Sequence, residues 1–146
     1  MSPRTGEGVP LADRISKILL EFKTLVLIGL SPKPSRPSHG VAAYMRAHGY
    51  RVVPVNPNAV SILHEHCYSS LTEVPDPIEV VVIFRKSEHV PEIVESAIKK
   101  RAHVIWMQEG IRNPGAARRA REAGLEVIED RCILKEHAKR FIAEGI

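Results

Sequence analysis

The chain has 146 residues, of which 44% are hydrophobic and 26% are charged, the balance of one globular domain. Its net charge of +4 is spread along the sequence and only 5% of residues are aromatic, so the basic face and stacking aromatics of nucleic-acid binders are missing. No apolar stretch approaches the roughly 20 residues that cross a bilayer, and the N-terminus lacks a signal-peptide pattern. We therefore predict one domain over 1–146, with 1–10 flexible, in a cytoplasmic protein with reduced cysteines and no nucleic-acid or membrane partner.

Helical and strand patterns alternate along the chain. Apolar residues at helical spacing from Leu11 to Phe22 predict a first helix, and the apolar run from Leu25 to Leu30 predicts the first strand. Further strands are predicted at 51–55, 78–84, 103–107 and 125–128, and further helices at 39–48, 89–100, 114–123 and 131–143. Unbroken valine and isoleucine runs such as 80–83 are typical of strands buried on both faces. The predicted fold is a Rossmann-like, three-layer α/β/α structure with a mostly parallel, five-stranded sheet.

The segment after the first predicted strand has the composition of an anion-binding loop. Gly29 ends the strand, where a missing Cβ lets another group approach the backbone closely. Hydroxyl groups and cations follow it at Ser31, Lys33, Ser35, Arg36 and Ser38. Ser38 is placed to cap the next helix, whose free N–H groups and dipole favour an anion. We interpret the loop as a phosphate cradle; the alternative is a connection, stiffened by prolines, that binds nothing.

The motifs of two common nucleotide sites are absent. A nicotinamide dinucleotide site needs G-x-G-x-x-G and a carboxylate after the second strand, where this chain has Asn56-Pro57-Asn58. Lys33 also lies outside the G-K-[ST] context of a triphosphate-binding loop. The pattern therefore favours a site for a different phosphorylated adenine ligand.

Five sequence blocks, in chain order, resemble those of a known family. The blocks are Ile28-Gly29-Leu30-Ser31-Pro32-Lys33-Pro34-Ser35-Arg36-Pro37-Ser38, Pro54-Val55-Asn56-Pro57, Phe84-Arg85, Val104-Ile105-Trp106-Met107-Gln108-Glu109-Gly110-Ile111 and Asp130-Arg131-Cys132. From about Ile15 to Arg140 the chain is similar to the small, stand-alone CoA-binding domain proteins. Their fold is similar to that of the nucleotide-binding domain of the succinyl-CoA synthetase α-subunit.

The resemblance implies that the ligand is coenzyme A or an acyl-CoA, whose phosphates suit a cationic loop. It implies that phosphates are held by Gly29, Ser31, Arg36 and Ser38, with added positive charge from Lys33. It further implies that the adenosine is bordered by Asn56 and Pro57, the ligand groove is lined by Phe84 and Arg85, and the pantetheine end is faced by Gln108 and Gly110. Structural alternatives remain, because Asn56-Pro57 also suits a turn, Phe84 a core position and Gly110 a break after a strand.

Cys132 is the one candidate for chemistry, and no catalytic constellation is evident, so the sequence does not demand an enzyme. Asp130 is placed to cap the last helix, and Cys132 in its first turn suits a mixed disulfide with CoA or redox sensing; the alternative is a buried, inert thiol. The run His64-Glu65-His66-Cys67 contains metal-ligand types, but no second cluster completes a site, so we predict no metal. His137 has no orienting carboxylate at a convincing spacing, which predicts a surface or subunit-contact residue.

The segment 59–70 departs from the family pattern because apolar and small residues replace polar ones. Its apolar side chains are Val60, Ile62, Leu63 and Tyr68. Such a patch suits a protein partner or a homodimer, so the second candidate function is a scaffold, natural or engineered, with an inherited CoA site. The alternative is drift in a tolerant loop. Two further departures are Val82, where the family has an acidic residue, and Arg101, where it has a helix-ending glycine.

Overall fold

Strands and helices alternate in a computed structural model that describes residues 8–142. The helices are α1 Leu11–Glu21, α2 Pro37–Ala47, α3 Val90–Lys99, α4 Pro114–Glu122 and α5 Ile133–Phe141. The strands are β1 Thr24–Ile28, β2 Arg51–Val55, β3 Ser61–Ile62, β4 Glu65–His66, β5 Val80–Ile83, β6 Val104–Met107 and β7 Glu126–Ile128. Most of the segment predicted to be flexible, 1–10, and the predicted end of the last helix lie outside the described residues. Within 8–142, no helix combines the length and apolar character needed to cross a membrane.

The main sheet has five parallel strands in the order β2-β1-β5-β6-β7. The chain runs outwards from β1 to β2 and then returns to the other side of β1, so the strand order reverses between β1 and β5. The strands β3 and β4 form a separate antiparallel hairpin, and a single bridge from Val55 to Tyr68 follows it. This topology confirms the predicted Rossmann-like α/β fold.

Helices cover both faces of the sheet. One face packs against α1, α2 and α5, where Ile15, Met45 and Ile133 are buried. The other packs against α3 and α4, through residues such as Ile93 and Ala117. Right-handed crossovers that run in opposite directions place their helices on opposite faces, so the reversal between β1 and β5 produces the three layers. All of β5 is buried, as its unbroken apolar pattern predicts.

The start of α2 differs from the predicted one. The helix begins at Pro37 and its N-cap residue is Arg36, so Ser38 lies inside the first turn rather than at the cap. No side chain accepts a hydrogen bond from this helix start. Pro37 suits the first helical position because it has no N–H to satisfy there. Within residues 8–142, no side chain caps the N–H groups of this first turn.

The start of α5 also corrects a predicted cap. The helix begins at Ile133 with Cys132 at the N-cap, and Asp130 lies before it with φ of 57°. The Asp130 carboxylate accepts a hydrogen bond of 2.6 Å from the Gly110 N–H instead. The Ile133 N–H donates to Gln108 Oε1 at 2.9 Å, so a side chain from the end of β6 satisfies the helix start.

Arg101 has a left-handed backbone, with φ of 57°, directly after α3. Its N–H donates to Ile98 O at 3.0 Å and the Ala102 N–H donates to Ala97 O at 3.0 Å, a helix-ending pair of bonds that favours glycine. A left-handed backbone costs an L-residue about 1–2 kcal/mol, and glycine avoids this cost. The unfolded chain gains freedom with glycine, which offsets part of the gain in stability. We expect Arg101→Gly to raise the free energy of unfolding by about 0.5–1 kcal/mol.

Chemical denaturation measures this effect, and Arg101→Ala is the matched control. Alanine removes the same guanidinium but keeps the Cβ, so it should give no comparable gain. An equal gain in both variants would show that the charge, and not the backbone, is responsible.

Candidate functional site

A cleft of about 540 Å³ opens at the carboxyl ends of β1 and β2, beside α3. Four of the predicted site residues line it, namely Gly29, Asn56, Pro57 and Arg85. Hydroxyl groups of Ser69, Ser70 and Ser96 line it as well. Ligands of open α/β sheets bind outside the carboxyl ends of the strands, close to the point where the strand order reverses. The cleft therefore lies where this fold binds ligands.

Gly29 allows Arg85 to pack closely against the end of β1. The φ of Gly29 is +88°, and a Cβ built on it would lie 3.0 Å from Arg85 Cδ and 3.3 Å from Arg85 Cγ. The Gly29 N–H donates to Val55 O at 2.9 Å, which fixes the backbone at this point. The close approach predicted for this glycine is thus made by the stem of a cationic side chain.

Two serine hydroxyl groups fold the loop after β1 onto the start of α2. The Ser31 N–H donates to Ser38 Oγ at 3.0 Å, and the Lys33 N–H donates to Ser31 Oγ at 3.1 Å. Ser38 is buried, whereas Lys33 and Arg36 are exposed. The hydrogen bonds hold the loop in one conformation while its cations face solvent.

The cations of this region have no acidic partner among residues 8–142. None of the ion pairs within 4.0 Å includes Lys33, Arg36, Arg85 or Lys86. By contrast, Arg119 on α4 pairs with Glu95 at 2.9 Å. The first turn of α2 adds the positive end of a helix dipole to the same region. The loop and its surroundings therefore form a positive surface suited to an anion.

Asn56 ties together the two connections that border the cleft. Its Nδ2 donates to Leu30 O at 3.0 Å, and its Oδ1 accepts from the Asn58 N–H at 2.8 Å. The second bond is an Asx turn, the structural role that the residue pattern also allows. Asn56 thus positions the loop after β1 relative to the exposed Pro57.

The other predicted ligand contacts lie away from this cleft. Phe84 is partly buried and packs against the face covered by α1, α2 and α5. Gln108 is 6% exposed and satisfies the start of α5, while Gly110 has φ of 86°. The structural role of Gln108 was not predicted, because its partner lies 25 residues further along the chain.

A second, charged cavity of about 370 Å³ surrounds Cys132 at the start of α5. Arg131, Lys135 and Glu109 line it, and Lys135 Nζ lies 2.9 Å from Glu109 Oε1. Cys132 is partly exposed. Cys67 is buried elsewhere, and this burial raises the pKa of its thiol.

His137 corrects the prediction of a surface or subunit-contact residue. It is 6% exposed and its Nδ1 lies 2.9 Å from Tyr44 Oη.

In the part of the chain that the structure describes, no group of three or more His, Cys, Asp and Glu side chains is arranged to hold a metal ion.

The segment 59–70 presents less apolar surface than its sequence suggests. Ile62 is 3% exposed and belongs to the core, which corrects its prediction as an interface residue, whereas Val60 is 81% exposed. Leu63 and Tyr68 are partly buried and pack against opposite sides of the sheet. Exposed apolar surface in this segment is therefore centred on Val60, with only parts of Leu63 and Tyr68.

The chain is similar in sequence to two kinds of known protein. The chain is 39% identical to the uncharacterized protein YneT of Bacillus subtilis over 129 residues. This alignment covers 88% of this chain and 96% of YneT. It is also 30% identical over 80 residues to the ADP-forming acetate–CoA ligase II of Archaeoglobus fulgidus. This alignment covers 53% of this chain but only 12% of the ligase.

Among solved structures, the crystal structure of Prb, a PH1109 protein redesigned for binding, has a TM-score of 0.89 at 40% identity. The similarity covers 93% of this chain and 96% of Prb. The CoA binding domain family matches residues 23–138, from the residue before β1 into α5. This match includes all five strands of the main sheet and both cavities described above. The chain therefore belongs to the CoA-binding domain family.

Proposed function

We propose that this protein binds coenzyme A, or an acyl-CoA, through the loop 29–38 and the adjoining cleft. The observation that carries the proposal is the set of cations around the loop, Lys33, Arg36 and Arg85, which form no ion pair within 4.0 Å among residues 8–142, although Glu92 also lines the cleft. A ligand with several phosphate groups would supply the missing negative charge. Membership of the family supports coenzyme A as that ligand.

The phosphates would lie at the start of α2, where the His39 N–H donates to Arg36 O at 3.1 Å and the Ser38 N–H has no acceptor among residues 8–142. Arg36 and Lys33 are exposed there, and Arg85 approaches from the end of β5. The adenosine would lie in the cleft beside Asn56 and Pro57. Here the neutral side chain of Asn56 would not repel a phosphorylated ribose, unlike the carboxylate of nicotinamide sites.

The pantetheine end would extend from the loop past Phe84 towards Gly110 and the second cavity. Phe84 follows β5 and Gly110 follows β6, and these strands are neighbours in the sheet. A path along the carboxyl edge of the sheet would therefore connect the loop to the region of Cys132. Gln108 is buried and already bonded to Ile133, so it would support this path and not contact the ligand directly.

Calorimetric titration of CoA into the purified protein tests the proposal. Acetyl-CoA, NAD, ATP and dephospho-CoA are run at the same ionic strength, because phosphate contacts depend strongly on salt. Micromolar or tighter CoA binding, with much weaker NAD binding, would support the site, and weaker dephospho-CoA binding would assign part of the affinity to the 3′-phosphate. The absence of CoA binding, or equal affinity for all five compounds, would refute a CoA site.

We expect CoA disulfide to modify Cys132 and not Cys67. Cys132 is partly exposed and open to a disulfide in a cavity lined by acidic and basic side chains, whereas Cys67 is buried and its burial raises the pKa of its thiol. Attack of the Cys132 thiolate on CoA disulfide forms a protein–CoA disulfide and releases one CoA thiolate. Mass spectrometry should therefore find one added CoA on the peptide that contains Cys132.

Cysteine-to-serine variants complete this test. Cys132→Ser should abolish the added mass, and Cys67→Ser should leave it unchanged. Modification of Cys67, or none at either thiol, would count against the assignment.

A further inference from the structure

A cluster of aromatic rings fills the contact between α2 and α5. Its centre is His137, a buried residue of α5. Measured between ring centroids, His137 lies 5.5 Å from Tyr44, 5.3 Å from His48, 5.5 Å from Tyr50 and 4.9 Å from Phe141. The cluster lies on the face of the sheet opposite α3, and neither cavity of the candidate site includes it. These rings therefore have no part in the proposed binding of CoA phosphates or adenosine.

Two hydrogen bonds join the imidazoles of this cluster to Tyr44. In a neutral His137 with its hydrogen on Nε2, the Tyr44 hydroxyl donates to Nδ1 across 2.9 Å. His48 Nδ1–H donates to the Tyr44 carbonyl at 2.8 Å, and its ring stacks on Tyr44 at 4.1 Å. A proton added to Nδ1 of His137 would force the Tyr44 hydroxyl to reverse its role from donor to acceptor. The contact itself is compatible with both forms of His137, so the cost of a positive charge there is set by the surrounding groups.

The groups that face His137 offer no compensation for a positive charge. They are Lys23 before β1, Tyr44 and His48 from α2 and its end, and Tyr50 before β2. No carboxylate of residues 8–142 lies within 4.0 Å of His137 or His48. Burial lowers the pKa of His137, and the nearby His48 and Lys23 lower it further.

We propose that His137, Tyr44 and His48 form a pH-sensitive latch that holds α2 against α5 when His137 is neutral and loosens when it is protonated. The consequence for ligand binding rests on the proposed function, because α2 begins in the loop 29–38. A loosened α2 would shift the loop and the first-turn N–H groups, and CoA would bind more weakly in mild acid.

The direction of the pH dependence follows from proton linkage. An unfolded histidine has a pKa of about 6.5, and folding lowers the pKa of His137, so the unfolded chain takes up the extra proton. The stabilising effect is complete above about pH 6.5 and is lost as the pH falls below that value. One such proton increases the unfolding equilibrium constant by up to about tenfold for each pH unit of acidification.

The neighbouring Glu136 acts in a different pH range. Burial acts to raise the pKa of this carboxyl, but hydrogen bonds from Arg140 and Lys139 outweigh burial and lower it. Its contribution to stability is therefore present above the ordinary glutamate pKa of about 4.3 and is lost below it. Measurements between about pH 5 and pH 8 isolate the histidines.

Equilibrium unfolding of the wild type, His137→Phe and His66→Gln across this range tests the latch. Phenylalanine keeps a ring in the cluster but cannot titrate, and His66→Gln removes an exposed histidine as the matched control. The unfolding equilibrium constant should rise on acidification by the same factor in the wild type and in the control. In His137→Phe this rise should be smaller, by up to about tenfold for each pH unit. An unchanged pH dependence in His137→Phe would overturn the latch.

NMR titration of the wild type keeps the test decisive if His137→Phe fails to fold, and CoA affinity adds a second readout where that variant folds. Titration of the wild-type imidazoles by NMR should give His137 a midpoint below the value of about 6.5 of an unfolded histidine, and a midpoint at or above that value would overturn the latch. CoA affinity should fall more between about pH 7.5 and 5.5 in the wild type than in His137→Phe, since protonation of CoA itself affects both equally. No CoA binding at any pH would contradict the proposed function, while unfolding and NMR would still decide on the latch.

Discussion

Arg36→Glu is expected to weaken CoA binding by roughly 30-fold, or about 2 kcal/mol. Arg36 is exposed at the N-cap of α2 and has no ion-pair partner among the residues that the structure describes. The variant places a carboxylate beside the phosphates, so attraction changes to repulsion. A negative charge at a helix start is favourable for the helix, so the free energy of unfolding should not fall. Loss of affinity without loss of stability would identify the loop as the site.

The matched control for this variant is Arg118→Glu on α4. Arg118 is exposed, and the change in net charge is the same. Any effect of overall charge on the approach of an anionic ligand is thus shared by both variants. Calorimetry should find that Arg118→Glu changes the affinity by less than about twofold. Equal losses in the two variants would indicate a general charge effect, and unchanged affinity in Arg36→Glu would place the phosphates elsewhere.

The architecture was predictable because the burial of its strands is visible in short segments. The second strand was predicted at 51–55 and is Arg51–Val55, and the unbroken run of β5 predicted its burial on both faces. Parallel strands carry their carboxyl ends to one edge, so the loops after β1, β2 and β5 lie together there. The cleft brings Gly29, Asn56 and Arg85 together at that edge.

Helix starts were less predictable because the competing partners are distant in sequence. Asp130 has the local pattern of an N-cap, but its carboxylate bonds to Gly110 N–H, 20 residues earlier in the chain. Ser38 likewise accepts from Ser31 across the loop and not from its own helix. Local propensity cannot reveal a stronger partner that only the tertiary structure supplies.

Burial of single side chains was also beyond the sequence pattern. His137 was predicted to be at the surface, yet Tyr44 and Tyr50 from other elements enclose it. Ile62 lies in a two-residue strand, too short for alternation to show which face is buried. In both cases, packing between separate elements decides the exposure.

Trp106→Ala is expected to lower the free energy of unfolding by about 3–5 kcal/mol. The side chain is fully buried in β6, and its indole Nε1–H donates to Arg131 O at 2.7 Å. Alanine would leave a cavity on the face of the sheet covered by α1, α2 and α5, and would remove the donor of this hydrogen bond. Trp106→Phe retains most of the ring but also removes the donor, so it should lower the same free energy by about 1–3 kcal/mol. Urea unfolding measures both variants.

The hydrogen bond from Trp106 also holds the segment that leads to Cys132. Arg131 O is its acceptor, and Cys132 follows directly at the start of α5. Trp106→Phe should therefore increase the rate at which Cys132 reacts with a neutral disulfide, while Ile105→Val, a truncation one residue earlier in β6, should not. If Trp106→Phe and Ile105→Val gave the same rate and the same loss of stability, cavity formation alone would account for the tryptophan, and the indole hydrogen bond would have no separate role.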